Sequence, residues 1–258
     1  MVHVPERRAV SGPALIRLLA RLTDANVAAS GQPLADRLGQ WLSWTDAIAL
    51  STALSGNPPA IEPRGTTSDP TEDALCTRVR TTLTNAIARD ATLAPERQRS
   101  LARGRAITPA VVDDTPPDYA VYRQCYLSFQ EEMEDAIGDL RARLRAMLAA
   151  RKPAMARLAA VDGVMERVLG TRERTLLAAV PGLLSMHFDR LRAAHEAAHA
   201  EAHDASQYDA HALPAEPPKA NANPWLDVFR KDMQSVLFAE LEVRFQPVEG
   251  LLAALRDC

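Results

Sequence analysis

A chain of 258 residues with a formal net charge of −3 and a hydrophobic share of 47% can fill a real core in one or two domains. Aromatics make up only 5%, and 46 Ala and 31 Leu stand against 11 Gly, so strong helix formers dominate and the core must be aliphatic. This composition excludes a disulfide scaffold, a collagen-like fibre and a wholly disordered chain, and it argues against an all-β fold.

The first helical block opens at Ser11-Gly-Pro13, a favoured cap followed by a proline tolerated in the first turn. Leu15, Leu18, Leu19 and Leu22 then supply its stripe. A second helix is predicted from about Leu34 to Leu54, with Leu34, Leu38, Trp41 and Ile48 on one side. Trp41 and Trp44 are expected to be core or helix-contact residues that give this helix pair its own packed centre. Residues 55–70 are rich in Pro, Gly and small polar side chains and read as a linker or long loop. A third helix fits Thr71 to about Ala91, with Thr71 as cap and Glu72 and Asp73 in the favourable first turn. Between Thr92 and Pro117 prolines break the pattern, and Pro109 weakens a strand over Ala106 to Val112.

From Asp118 to about Lys152 the pattern is one long helix. Its stripe is Tyr122, Cys125, Phe129, Met133, Ala136, Leu140, Leu144 and Met147, spaced close to the helical repeat. Pro153 ends or kinks it, and another helix follows from about Ala154 to Val180, closed by Pro181-Gly182. The next carries Leu184, Phe188, Leu191 and His195, and residues 206–223 form a second Pro/Ala-rich loop. The last helix starts at Asn223-Pro224 and continues through a kink at Pro247. The fold expected is therefore all-α. An N-terminal helical pair (1–54) and a loop region with one helix (55–117) precede an extended antiparallel bundle of long helices (118–258).

Met1 to Arg8 is basic but has no apolar stretch behind it, so it is not a secretory signal. No run approaches the roughly 18 apolar residues of a spanning helix. Cys76, Cys125 and Cys258 are odd in number and far apart, which suits reduced thiols in the cytoplasm.

His195-Glu-Ala-Ala-His199 is the sharpest motif. On a helix the two imidazoles share a face and can hold zinc, with Glu196 as general base. Glu201 and His203 invite completion of such a site. The surroundings are an alanine-rich helix end running into a Pro-rich loop, which offers no dry, shaped cavity and no third ligand on a fixed element. A solvated helix end is preferred. Phosphate-cradling glycine loops, nucleophile elbows and kinase signatures are absent, so no nucleotide or other cofactor is expected.

Charge is segregated. From Asp113 to Asp139 eight acids face Arg123 alone, and from Arg141 to Arg174 nine bases face three acids. Arg141, Arg143, Arg145, Arg151 and Lys152 thus gather at a helical-hairpin tip able to contact nucleic-acid phosphates or an acidic protein. Intramolecular pairing, such as Asp135 to Asp139 to Arg143 in steps of four, is the competing use and is preferred.

Four stretches carry a family resemblance. They are Ser11-Gly-Pro-Ala-Leu-Ile-Arg-Leu-Leu-Ala-Arg-Leu-Thr-Asp24, Arg37-Leu-Gly-Gln-Trp-Leu-Ser-Trp-Thr-Asp-Ala-Ile-Ala-Leu50, Tyr122-Arg-Gln-Cys-Tyr-Leu-Ser-Phe-Gln130 and Asn223-Pro-Trp-Leu-Asp-Val-Phe-Arg230. Together they resemble an uncharacterised proteobacterial domain-of-unknown-function family, itself similar to the soluble F subunit of the Zorya type III anti-phage defence system. The resemblance implies a second soluble subunit, G, and a MotA/MotB-type membrane rotary motor as company, and it supplies no active-site residues. The expected function is a non-enzymatic cytoplasmic subunit of a defence complex, not inserted in the membrane. DNA binding through the five tip cations is the first alternative, and a zinc hydrolase using His195, Glu196 and His199 is the second.

Overall fold

Long helices with one apolar stripe bury it by lying side by side, and a helix that is apolar on several sides takes the centre. The structure, a computed structural model, describes residues 12–24, 31–56, 71–95, 118–208 and 223–257, with the backbone alone at 34 and 203–208. Among these residues it contains eight helices and no strand: α1 (Ala14–Thr23), α2 (Leu34–Trp41), α3 (Trp44–Ser55), α4 (Glu72–Arg89), α5 (Tyr119–Ala149), α6 (Pro153–Leu177), α7 (Val180–Tyr208) and α8 (Pro224–Arg256). The all-α bundle of long helices follows from the sequence. The Ser11 cap, the 106–112 run, Cys258 and most of both loops lie outside the described residues.

α8 is the central helix. Phe229, Met233, Val236, Leu237, Leu241 and Phe245 are all buried, and α1, α4, α5 and α7 pack around it. Side-chain pairs fix the directions. Tyr122 meets Phe229 at a ring separation of 5.1 Å, and further along both helices Tyr126 reaches Glu240, so α5 and α8 run parallel. α4 runs against α8, with Gln234 donating to the Ile87 carbonyl at 3.2 Å and Arg80 reaching Glu242 at 3.3 Å. α7 also runs against α8: His187 meets Asp232 at 2.9 Å while His195, two turns on, reaches back to Trp225 at 6.3 Å, and Phe188 stacks edge-on with Trp225 and Phe229 at 5.1 and 5.0 Å. α8 continues through Pro247, where the residue packs without ending the helix.

A buried imidazole ties α1 to this end. Arg190 can only donate, so at 3.1 Å it makes His187 Nδ1 the acceptor. Nε2 then carries the hydrogen and donates to Asp232 at 2.9 Å. The same guanidinium binds Asp24 at 2.6 Å and the Leu22 carbonyl, closing the end of α1. At the other seam, Asp90 accepts the amides of Thr92 and Leu93 at 2.7 and 3.1 Å and the Cys125 thiol at 3.6 Å. Burial and the Asp90 carboxylate push that thiol up to about 12, and Cys76 and Cys125 are both free.

Three local expectations change. The predicted helix over 34–54 is two helices, because Ser43 starts a new one. Its Oγ accepts the Asp46 amide at 3.2 Å and its own amide donates to Asp46 at 3.1 Å, a reciprocal capping box. The break after α6 comes at Ala178, so Pro181 and Gly182 open α7 instead of closing the preceding helix. The indoles do not make a packed centre. Trp44 is 81% exposed, Trp41 sits half-buried under Arg172 at 5.7 Å, and no residue of α3 is buried where it leans on α6.

Among the described residues no helix is long and apolar enough to cross a membrane. Phe229, with no exposed surface, is the aromatic keystone of the bundle. Phe229→Ala is expected to lower the unfolding free energy by about 3–5 kcal/mol. Trp44→Ala should leave it within about 0.5 kcal/mol. Guanidinium unfolding of the two variants measures both.

Candidate functional site

A carboxylate placed in an apolar bundle is costly unless every oxygen finds a donor. Glu240 on α8 is 0% exposed and meets that condition. Tyr126 donates its hydroxyl at 2.6 Å, Gln130 its amide at 3.1 Å, and Arg244, one turn along, its guanidinium at 2.9 Å. Gln130 also donates to the Leu177 carbonyl at 3.1 Å, which ties in the last turn of α6. Desolvation, followed by the Glu240 charge, pushes the Tyr126 phenol well above its usual range, so it stays a donor. Arg244 turns its other edge toward Glu173 on α6 at 3.7 Å. Burial raises the Glu173 carboxyl above its ordinary value; Arg244 and Arg141 oppose that rise, while Glu240 and Glu134 add to it.

From this cluster a groove of about 670 Å³ runs between α5 and α6. Its inner wall includes Arg244 and Glu173. It continues into a second hollow of about 360 Å³ that shares Glu134, Asp135, Arg174 and Arg244 and ends at Gln130 and Glu131. A ladder of ion pairs sets the antiparallel register of the two helices. Asp162 takes Arg141 at 2.7 Å and Arg145 at 2.9 Å, and Glu166 takes Arg145 at 2.6 Å. At the far end Arg174 pairs with Glu134 at 3.4 Å. That register places Gly138 on α5 opposite Gly170 on α6, both lining the groove. A Cβ built at either position meets nothing within 4 Å. Glycine in a helix interior costs roughly 1 kcal/mol against alanine, and neither position needs it for the chain's own packing. Two side chains are missing where they would fill the groove.

The five tip cations do not form one patch. Arg141 and Arg145 turn inward on the ladder, with side chains 12% and 20% exposed, while Arg151 pairs with Glu72 at 2.7 Å. Arg143 and Lys152 are exposed. Intramolecular pairing therefore operates across helices and not in the expected steps of four along α5, since no ion pair within the described residues reaches Asp135 or Asp139. The His195 and His199 rings lie 4.4 Å apart on the outer stretch of α7, with His195 leaning on Trp225 at 6.3 Å. Glu196 is engaged by Arg192 at 2.9 Å, and both side chains are exposed. Among the described residues no group of three or more His, Cys, Asp or Glu is placed to hold a metal ion, and the His203 side chain lies outside them.

The chain was also compared with known proteins. A family model described as "Protein of unknown function (DUF3348)" matches residues 1–257. The chain belongs to the DUF3348 family. No curated protein matches it, and no solved structure does. The groove and its buried floor in this DUF3348 chain thus stand on their own geometry. The residues that build them, Glu240, Arg244, Gln130 and the two glycines, had escaped the sequence reading. The readable signal was a pair of glycines inside long helical patterns, each followed a few residues later by an Arg or Glu at helical spacing.

Two measurements follow. Arg244→Met leaves Glu240 buried beside a thioether and is expected to cost about 3–5 kcal/mol. The double variant Glu240→Gln/Arg244→Met should be less destabilised than the single one, as read by chemical unfolding. Glu173 gives a pH signature. A carboxyl whose native pKa is raised favours the folded state while protonated, and that contribution fades as pH rises through the ordinary glutamate range to the native value. Thermal unfolding of Glu173→Gln should therefore match wild type near pH 4 and gain on it toward pH 7.

Proposed function

We propose that this DUF3348 chain is a non-enzymatic subunit that binds a protein partner along the groove between α5 and α6. The observation that carries this reading is the opposed pair Gly138 and Gly170. A bundle selected only for stability would fill both positions, so the open space is better explained by an occupant. Arg244 is buried and fixed by its bond to Glu240, and Glu173 faces it at 3.7 Å, which makes a preorganised floor and keeps the ordering cost of binding low. The absence of nucleotide and nucleophile signatures in the sequence favours a binding role over a catalytic one.

The resemblance to the F subunit of Zorya type III supplies a setting for this role. In it, the partner is the second soluble subunit, G, working with a membrane rotary motor in anti-phage defence. DNA contact at the hairpin tip is the second reading; it rests on Arg143 and Lys152, whose side chains are exposed.

The test is co-expression with the proteins encoded beside it. The wild-type chain should co-elute with one of them. Gly138→Leu/Gly170→Leu should dissolve the complex while raising thermal stability, because leucine favours the helix and fills empty space. A stable double variant that still co-elutes would exclude the groove as the docking surface.

A further inference from the structure

The groove's ionic groups can be sorted into those its own fold engages and those left over. Three of its cations are engaged: Arg141 of α5 by Asp162, Arg174 of α6 by Glu134 and Arg244 of α8 by Glu240. Arg167 of α6 also lines the groove; it is exposed and makes no ion pair within the described residues. On the α5 rim Glu134 is taken by Arg174, and three further carboxylates are not engaged. Glu131, Asp135 and Asp139 are exposed, line the two joined hollows, and have no ion pair within the described residues. Their four-residue spacing puts them on one helix face, about 6 Å apart along the axis. Like charges at that spacing repel and destabilise the helix slightly. No ion pair within the described residues relieves them, and Arg167 is the one groove cation left without one.

Resting on the groove-binding reading above, we infer that the occupant is a basic helix of a partner protein. It lies along α5 with Arg or Lys side chains at four-residue spacing opposite Glu131, Asp135 and Asp139, and its small or aliphatic face sits over Gly138 and Gly170. A helix with cations four residues apart repeats at about 6 Å and stays in step with these carboxylates, whereas alternate residues of a strand step about 6.6 Å and drift along the row. Helix-in-groove docking also explains the glycines: two helices flanking a third need small residues at the point of closest approach. A nucleic acid is disfavoured at this surface by the sign of the unengaged charge.

The experiment uses the full chain and a fluorescein-labelled peptide of about 17 residues, nearly five helical turns. The peptide is alanine-based with arginine at every fourth position, and a glutamate-for-arginine counterpart and a short DNA duplex serve as contrasts. Fluorescence anisotropy should show binding of the arginine peptide that weakens as salt is added. Asp135→Lys/Asp139→Lys should weaken it by about tenfold or more, Gly138→Leu/Gly170→Leu should do the same, and Asp36→Lys on α2 should leave it unchanged. Binding that ignores both groove variants, equal binding of the glutamate peptide, or no binding of the arginine peptide would overturn the proposal. Preferential binding of the DNA would overturn it too. The same variants in the co-elution assay separate the two levels. A complex lost with the leucine pair but kept with the lysine pair leaves the groove reading standing and removes the basic helix. A complex kept with both removes the groove reading itself.

Discussion

The Glu240 carboxylate, enclosed at the centre of the bundle, sets constraints that the surrounding helices have to satisfy. Its oxygens accept from Tyr126 and Gln130 on α5 and from Arg244 on its own helix. An apolar contact tolerates sliding by a fraction of a turn, but this set of short, directional bonds does not. It therefore fixes the parallel register of α5 against α8. Through the second bond of Gln130 to Leu177, it also fixes where α6 must stop. The break at Ala178 falls one residue beyond that carbonyl. Such a cluster contributes little net stability compared with an apolar core of the same shape, and its value lies in selecting one arrangement over neighbouring ones.

The α5–α6 groove follows from that selection. With α6 ending at Gln130, its antiparallel course brings Asp162 and Glu166 level with Arg141 and Arg145, and the ladder closes. The same register brings Gly138 level with Gly170. A shift of one turn would put Arg141 or Asp135 where Gly138 now stands, or Arg167 or Glu173 where Gly170 stands, and the floor would be filled by the chain's own side chains. The groove is thus a consequence of register fixed at the buried carboxylate, with the glycines determining only its depth.

The sequence disclosed element type far better than it disclosed neighbours. Period and caps carried α4, α5 and α8 almost to their ends, since Thr71, Asp118 and Asn223-Pro224 act locally. The split at Ser43 was equally local and could have been read, because Ser-Trp-Thr-Asp has the spacing of a capping box. The burial of Glu240 and Arg244 could not. Both sit in Leu241-Glu-Val-Arg-Phe245 and its approach, where a charged pair in steps of four reads as a solvated face until a third and fourth helix are known to cover it. The inward turn of Arg141 and Arg145 was hidden for the same reason, as their partners lie across a helix pair and not along one. Trp44 failed in the opposite direction: its residue type argued for burial, but it stands exposed at the first turn of a helix that buries none of its residues.

The near-neutral net charge can now be read physically. The acidic and basic stretches adjoin on α5 and α6, and folding back at Pro153 lays one along the other. Cancellation is unequal, because a cation is engaged wherever it faces the inside of the helix pair and a carboxylate is left over wherever it faces out. Arg141, Arg145 and Arg174 are absorbed, while Glu131, Asp135 and Asp139 remain on the rim. A protein whose formula charge is close to zero thereby lines its groove with six carboxylates against four guanidiniums, and the asymmetry arises from the register of two helices and not from composition. Recognition at such a surface would depend on salt and on spacing more than on buried area, since each carboxylate is solvated and separately weak. Only a partner matching several of them at once, with its backbone close to the glycine floor, would gain enough to bind.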